Sequence, residues 1–162
     1  RFHESNKPGK FDEVKADALG IPFGPQRGQL QSGVVITVAG KTIYPCDVMA
    51  PPIAGRIITY CTDTRPCTAA LELARQSDLL IHDSTFSDAY ADRAAPTFHS
   101  TSREAAEIAA GAQAKKLILW HLSIRVHGEE ELNLLTQAQQ LFPNTVLPHD
   151  LDEIYLRRGA GE

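Results

Sequence analysis

Strand-like and helix-like segments alternate along residues 56–142, and this rhythm restricts the fold more than any other feature of the chain. "RIITYC" (56–61), "DLLIHD" (78–83) and "AKKLILWH" (114–121) are short apolar runs of a buried strand's length. "CTAALELARQ" (67–76), "STSREAAEIAAGA" (100–112) and "GEEELNLLTQAQQLF" (128–142) read as amphipathic helices; the last carries an apolar stripe at Leu132, Leu134, Leu135 and Leu141. Thr101 and Glu104 fit the T-x-x-E capping box, which fixes a helix start there. Such alternation implies an α/β layer architecture. The end, "TVLPHDLDEIYLR" (145–157), reads as one or two further short strands.

Residues 1–55 have a different texture, rich in glycine and proline. One short helix is expected in "FDEVKADAL" (11–19), stopped by Gly20, and a hairpin in "GVVITVAGKTIYP" (33–45), turning at Ala39-Gly40. The expectation is an extended arm on a small β element over 1–55, joined to residues 56–162 in one domain. A length of 162 residues with 43% hydrophobic content suits a single core. The net charge of -4 argues against coating nucleic acid by bulk charge, though a local basic groove remains compatible with it. Three cysteines without a dense framework point to a reducing, cytoplasmic setting. No apolar run approaches the roughly 20 residues of a membrane helix. The opening "RFHESNKPGKF" reads like the interior of a longer protein.

Each of the three strand-like runs ends in polar residues: Asp63 after the first, His82-Asp83 at the second, and His121, Ser123 and Arg125 after the third. Parallel strands would bring all of these to one sheet edge, where open α/β sheets form their ligand crevices. His99, in the loop before the helix at 100–112, can join them. Each residue also has a plain structural role open to it. Asp63 can form a turn, Asp83 can cap one, His82 can sit in the core, and Arg125 can be a solvated charge. Aspartate and histidine suit zinc, but Asp63 and His121 are fewer than the three protein ligands a catalytic zinc needs. The sequence has no H-x-H, H-E-x-x-H or C-x-x-C.

The ordered motifs "CTDTRPC", "DLLIHDSTF", "FHSTSREAAEIA" and "LILWHLSIR", with "KPGKFDEVKADALGIPFGP" upstream and "FPNTVLPHDLDEI" downstream, resemble the C-terminal half of ribonuclease Z. This is the tRNA 3′-processing endonuclease family of the metallo-β-lactamase superfamily. The resemblance implies an αββα sandwich and a site for two zinc ions, most of whose ligands come from an N-terminal H-x-H-x-D-H motif. It implies metal-ligand roles for Asp63 and His121, a proton-donating role for His99, and for Asp83 the orientation of His99. It places Gly20, Pro22, Gly24 and Pro25 in an arm that grips tRNA, with Arg65, Ser123 and Arg125 also toward substrate. Lys7, Lys10, Lys15 and Arg27 are the candidate phosphate contacts. Precursor tRNA as substrate, a homodimer, and no cleavage by these residues alone are further implications. The departures are Cys61-Thr62 for the usual Ser-Gly, Asp83 for Glu, and Val126 for Tyr. Two other functions are compatible with the residues: a metallo-hydrolase of small phosphodiesters or sulfate esters, and a non-catalytic RNA-binding remnant.

Overall fold

The computed structural model describes residues 1–124 and 126–158. They form two compact units: Arg1–Glu4 with Arg56–Leu156, and Ser5–Gly55 with Arg157 and Arg158.

The larger unit is built on a five-stranded sheet. Its strands are β1 (Phe2–His3), β4 (Ile57–Cys61), β5 (Leu79–Asp83), β6 (Leu117–Trp120) and β7 (Thr145–Val146), adjacent in that order. β1 is antiparallel to β4, and β4 through β7 are mutually parallel. Helices α4 (Thr68–Ala74), α6 (Ser102–Gly111) and α7 (Glu129–Leu141) connect successive parallel strands. A 3-10 turn, Asp88–Tyr90, and the short α5 (Ala91–Ala94) precede α6.

The two-residue period of a strand sorts these side chains cleanly. Cys61, Leu80, Leu117 and Leu119 enter the core with Ala70, Ala105, Ala109, Leu134 and Ala138 from the helices. The alanines keep α6 low on the sheet, and Gly111 is so close to α4 that an added Cβ would lie 3.0 Å from Leu71. Leu80, Leu117 and Leu134 are fully buried, each contributing about 1.5–3 kcal/mol by removal from water. The alternate residues, Tyr60, Leu79, Ile81, Ile118 and Trp120, line the opposite face with Pro148–Ile154. Tyr60 and Trp120 remain 45% and 43% exposed there. Parallel strands are normally covered on both faces; here Leu79 and Ile118 are buried while Tyr60 and Trp120 stay open.

The smaller unit holds α1 (Glu13–Ala18), α2 (Pro25–Gln31), the hairpin β2 (Ile36–Val38) and β3 (Lys41–Ile43), and α3 (Pro45–Val48). Ala16, Ile21, Leu30, Ile36, Ile43 and Val48 form its core. The hairpin turns at Ala39-Gly40 as expected, with φ of 47° and 77°, the double left-handed turn that matches strand twist. α2 and α3 were not expected. Each starts with proline at its first position, where the missing N–H is no loss. In a Gly/Pro-rich stretch the same prolines read as breakers.

The parallel strands lie within their expected ranges, whereas β1 (Phe2–His3) was not expected. The strand expected at 114–121 is shorter, because Ala114 N–H still caps α6 at the Ala109 carbonyl and His121 leaves β6 at φ 63°. At the end of the chain only Thr145–Val146 pairs; among the described residues no strand follows Pro148. All three cysteines are free thiols. No helix among the described residues is long and apolar enough to cross a membrane.

Candidate metal centre

The parallel register aligns the strand ends. Cys61 pairs with His82 and Asp83 with Trp120, so Asp63, Asp83 and His121 emerge at one edge. His99 reaches the same place from the loop before α6. One ligand atom from each of these four residues falls within 4.8 Å of the others. The backbone bends sharply to achieve this: Asp63, His121 and Phe98, the last just before His99, have φ of 50°, 63° and 61°. Left-handed backbone costs a non-glycine residue roughly 1–2 kcal/mol, and such strain collects at functional sites.

Asp83 is the buried hub, with no exposed surface. Its Oδ1 accepts from Thr85 N (2.9 Å), Thr85 Oγ1 (2.8 Å) and Ser100 N (3.4 Å); its Oδ2 accepts from Thr64 N (3.0 Å) and His99 Nδ1 (2.7 Å). Burial pushes the carboxyl pKa up, but the bonds from His99, Thr85 and Thr64 outweigh it and hold the group ionised below the usual carboxylate range. Both oxygens are thus occupied by donors. Through Oδ2 Asp83 fixes the His99 ring, and through Oδ1 the Thr85 side chain. One methylene less than glutamate does not limit its reach, since His99 lies within a short hydrogen bond.

These bonds fix the tautomers of two histidines. An ionised Asp83 only accepts, so the Thr85 hydroxyl proton points to it. Thr85 Oγ1 must then accept from His121 Nδ1, 2.9 Å away. His99 likewise donates from Nδ1 to Asp83. With a single proton on each ring, both imidazoles therefore present Nε2 with a free lone pair. The rings stack, with centroids 5.0 Å apart and planes 22° from parallel. His121 Nε2 faces Asp63 Oδ1 at 3.0 Å. That separation suits an imidazolium–carboxylate ion pair when Nε2 carries a proton and two ligands of one metal ion when it does not. The donor set, an exposed carboxylate and an imidazole nitrogen held by a Thr–Asp relay, fits a metal ion.

Arg65 is engaged within the protein. It grips Glu104 with both terminal nitrogens (2.9 and 2.6 Å) and donates to the His99 carbonyl (2.9 Å). Glu104 also closes the capping box, its Oε2 accepting from Thr101 N at 2.8 Å. The backbone is therefore pinned at His99 and again at Thr101. His82 is fully buried on the helix side; its Nδ1 contacts the Asp83 carbonyl and its Nε2 has no partner. Burial pushes its pKa down. Ser123 N–H donates to the Thr85 carbonyl (3.1 Å). Arg125 lies outside the described residues.

In the smaller unit, Gly20 (φ 70°) and Gly24 (φ 127°) bracket a tight bend. It leaves Pro22, Phe23 and Pro25 exposed and Ile21 buried. Arg27, a candidate phosphate contact, is instead buried beneath this bend. It bonds the Ile21 carbonyl at 3.2 and 2.8 Å and pairs with Glu13 and Asp17. Lys7, Lys10 and Lys15 are exposed, Lys15 beside Asp12 at 3.5 Å. Sequence reasoning missed Thr64, Thr85 and Glu104 as parts of the site. Thr64 and Thr85 gave no signal beyond lying one or two residues from Asp63 or Asp83, and Glu104 was legible only as a helix cap.

Histidine and aspartate donors gathered at the strand ends of a parallel sheet fit a metal site. Residues 22–122 match the beta-lactamase superfamily domain, and the chain belongs to that family. The resemblance to ribonuclease Z is borne out. The chain is 48% identical over 154 residues to ribonuclease Z of Thermosynechococcus vestitus, covering 93% of this chain and 38% of that protein. It is 43% identical over 166 residues to the Synechocystis ribonuclease Z, covering 100% and 51%. With the Methanosarcina acetivorans ribonuclease Z the identity is 42% over 151 residues, covering 93% and 49%. The chain thus spans about half the length, or less, of these curated relatives.

Proposed function

We propose that this chain is the C-terminal portion of a zinc-dependent endoribonuclease that removes the 3′ trailer from precursor tRNA. The convergence of Asp63 and His121 beside the His99–Asp83 pair supports it most directly, and the similarity to ribonuclease Z supplies the substrate class. Asp63 and His121 would hold the metal. Two zinc ions, when bound, would supply an activated water and charge stabilisation at the phosphodiester.

This chain's own residues account for the proton. Asp83 holds the Nδ1 proton of His99, so Nε2 is the nitrogen that carries and releases a proton. Placed at the leaving oxygen, it would protonate the departing group and leave a 3′-hydroxyl on the tRNA body. The buried carboxylate provides the counter-charge while the ring carries both protons. Arg65 and Glu104 keep the ring in place. The Gly20–Pro25 bend, with Pro22 and Phe23 outward, would grip tRNA away from the cut, helped by Lys7, Lys10 and Lys15. The apolar sheet face bearing Tyr60 and Trp120 is where the second sheet of an αββα sandwich would lie. The working form would be a cytoplasmic homodimer.

The test joins this chain to an N-terminal half carrying H-x-H-x-D-H and assays a precursor tRNA with a 3′ trailer. Cleavage that requires zinc and is lost in Asp63→Ala supports the reading. Cleavage that survives Asp63→Ala sinks it. Deleting residues 8–30 should cripple tRNA cleavage yet spare a small phosphodiester, and light scattering reads the dimer.

A further inference from the structure

Two cysteines, Cys61 and Cys67, bracket the loop that carries Asp63 and Arg65. Cys61 ends β4, is buried, and belongs to the same core cluster as Ala70. Cys67 is exposed at the start of α4, and its Sγ accepts from Ala70 N–H at 3.4 Å. The register of β4 against α4 brings the thiols together. Thr59 Oγ1 donates to the Leu73 carbonyl at 3.2 Å. A strand climbs about 3.3 Å per residue and a helix about 1.5 Å. Two residues of β4 therefore match about four of α4, which sets Cys61 level with Ala69 and Ala70. Cys67 stands three positions before Ala70, on the same helix face. Each sulfur thus adjoins Ala70. Burial pushes the Cys61 thiol pKa up, and the neighbouring Cys67 pushes it further.

We propose that Cys61 and Cys67 form a reversible oxidation site: a small-molecule disulfide such as oxidised glutathione joins them, and the bridge displaces Asp63. Exposed Cys67 meets the oxidant first. Its thiolate attacks one glutathione sulfur, which forms a mixed disulfide and releases one glutathione. The Cys61 sulfur then attacks Cys67 Sγ and releases the second. Each released glutathione thiolate takes up the proton that the attacking cysteine gave up. Two protein thiols are oxidised to one disulfide, and one glutathione disulfide is reduced to two thiols. The bridge draws in the ends of a loop that is fixed in its middle. Thr64 N–H donates to Asp83 at 3.0 Å, and the Thr64 carbonyl accepts from Ser100 Oγ. Arg65 holds Glu104 and the His99 carbonyl. Thr62 and Asp63, between Cys61 and these anchors, must take up the change, and Asp63 already sits at φ 50°. The reduced chain is the form in which Asp63 meets His121. In a reducing setting such a bridge is transient, as sensing disulfides are. Its formation is independent of the nuclease reading above; its consequence for the metal centre rests on that reading.

The test equilibrates the folded, zinc-free chain carrying Cys46→Ser with oxidised glutathione and quenches it with acid. Free thiols are then counted in urea, beside the intact mass. Both thiols should be lost, with the mass of two hydrogens and no glutathione retained, and dithiothreitol should restore them. Cys61→Ser in the same background should stop at the Cys67–glutathione adduct. In NMR spectra the Asp63 and Thr64 amides and the His121 ring should shift on oxidation and return on reduction. Both thiols surviving, or a glutathione adduct that persists on Cys67 while Cys61 is present, overturns the bridge. A bridge that leaves the Asp63 and His121 signals in place overturns its link to the metal centre. A reconstituted enzyme indifferent to Asp63→Ala would remove the nuclease reading and leave the thiol chemistry standing.

Discussion

Asp83→Asn changes one atom at the hub. Five donors converge on the Asp83 carboxylate: two from Thr85, and one each from Ser100, Thr64 and His99. An amide has one acceptor oxygen, so its NH2 must face donors. The least damaging placement keeps oxygen at the Oδ1 position, with its three partners. The NH2 then meets Thr64 N–H and His99 Nδ1. His99 can accept by moving its proton to Nε2, but Thr64 N–H loses its partner. A charge-assisted bond is worth about 1.5–3 kcal/mol and a stranded donor costs about 1–3. The expected loss is about 3 kcal/mol, a large part of the roughly 5–15 that hold a domain folded. Urea unfolding of the zinc-free chain at pH 7 reads it directly, and the melting point should fall by about 6–12 °C. Asp83 has a folded-state pKa below its ordinary 3.8. Its contribution is full above that value and is lost as pH falls through the folded pKa. The gap between parent and variant must therefore narrow on the acid side. A loss under about 1 kcal/mol, or a gap that does not narrow in acid, refutes the hub.

Four further outcomes follow. Thr85→Val keeps the shape but breaks the relay to His121, so zinc affinity measured by calorimetry should fall about 10–100-fold. Asp83→Glu inserts a methylene at a fully buried position and should lower stability by about 1–3 kcal/mol in urea. Burial depresses the His82 pKa below 6.5, so the unfolded chain takes up its proton first and stability falls as pH drops from 6.5 toward the folded value. His82→Leu should flatten that part of a melting-point-against-pH curve. Arg27→Met should lower the melting temperature of the unit around Ile21 by removing its support, rather than weaken RNA binding through lost charge.

The parallel sheet was legible because three apolar runs of strand length, separated by helices, admit few other arrangements. The cluster was legible because polar residues at the ends of parallel strands must share an edge; Asp63, Asp83 and His121 meet as that rule requires, and His99 joins them from the loop before α6. Less legible was the division of labour among arginines. Arg65 and Arg27 are both cations in loop-like text, and only the fold shows each bound to two or more protein partners. Thr85 carried no signal of its own, because its role arises from standing 2.8–2.9 Å from two groups 36 or fewer positions away. α2 and α3 were hidden for another reason: a proline that begins a helix and one that ends it look alike until the backbone before it is known.

The most direct measurement of the whole account is zinc binding by this chain joined to an N-terminal half carrying H-x-H-x-D-H, and by its Asp63→Ala, His121→Ala and double variants, read by calorimetry with zinc alone. Asp63 and His121 as ligands of the shared site predict that each single change weakens zinc binding and that the double change weakens it further. Undiminished zinc uptake by the double variant would contradict it.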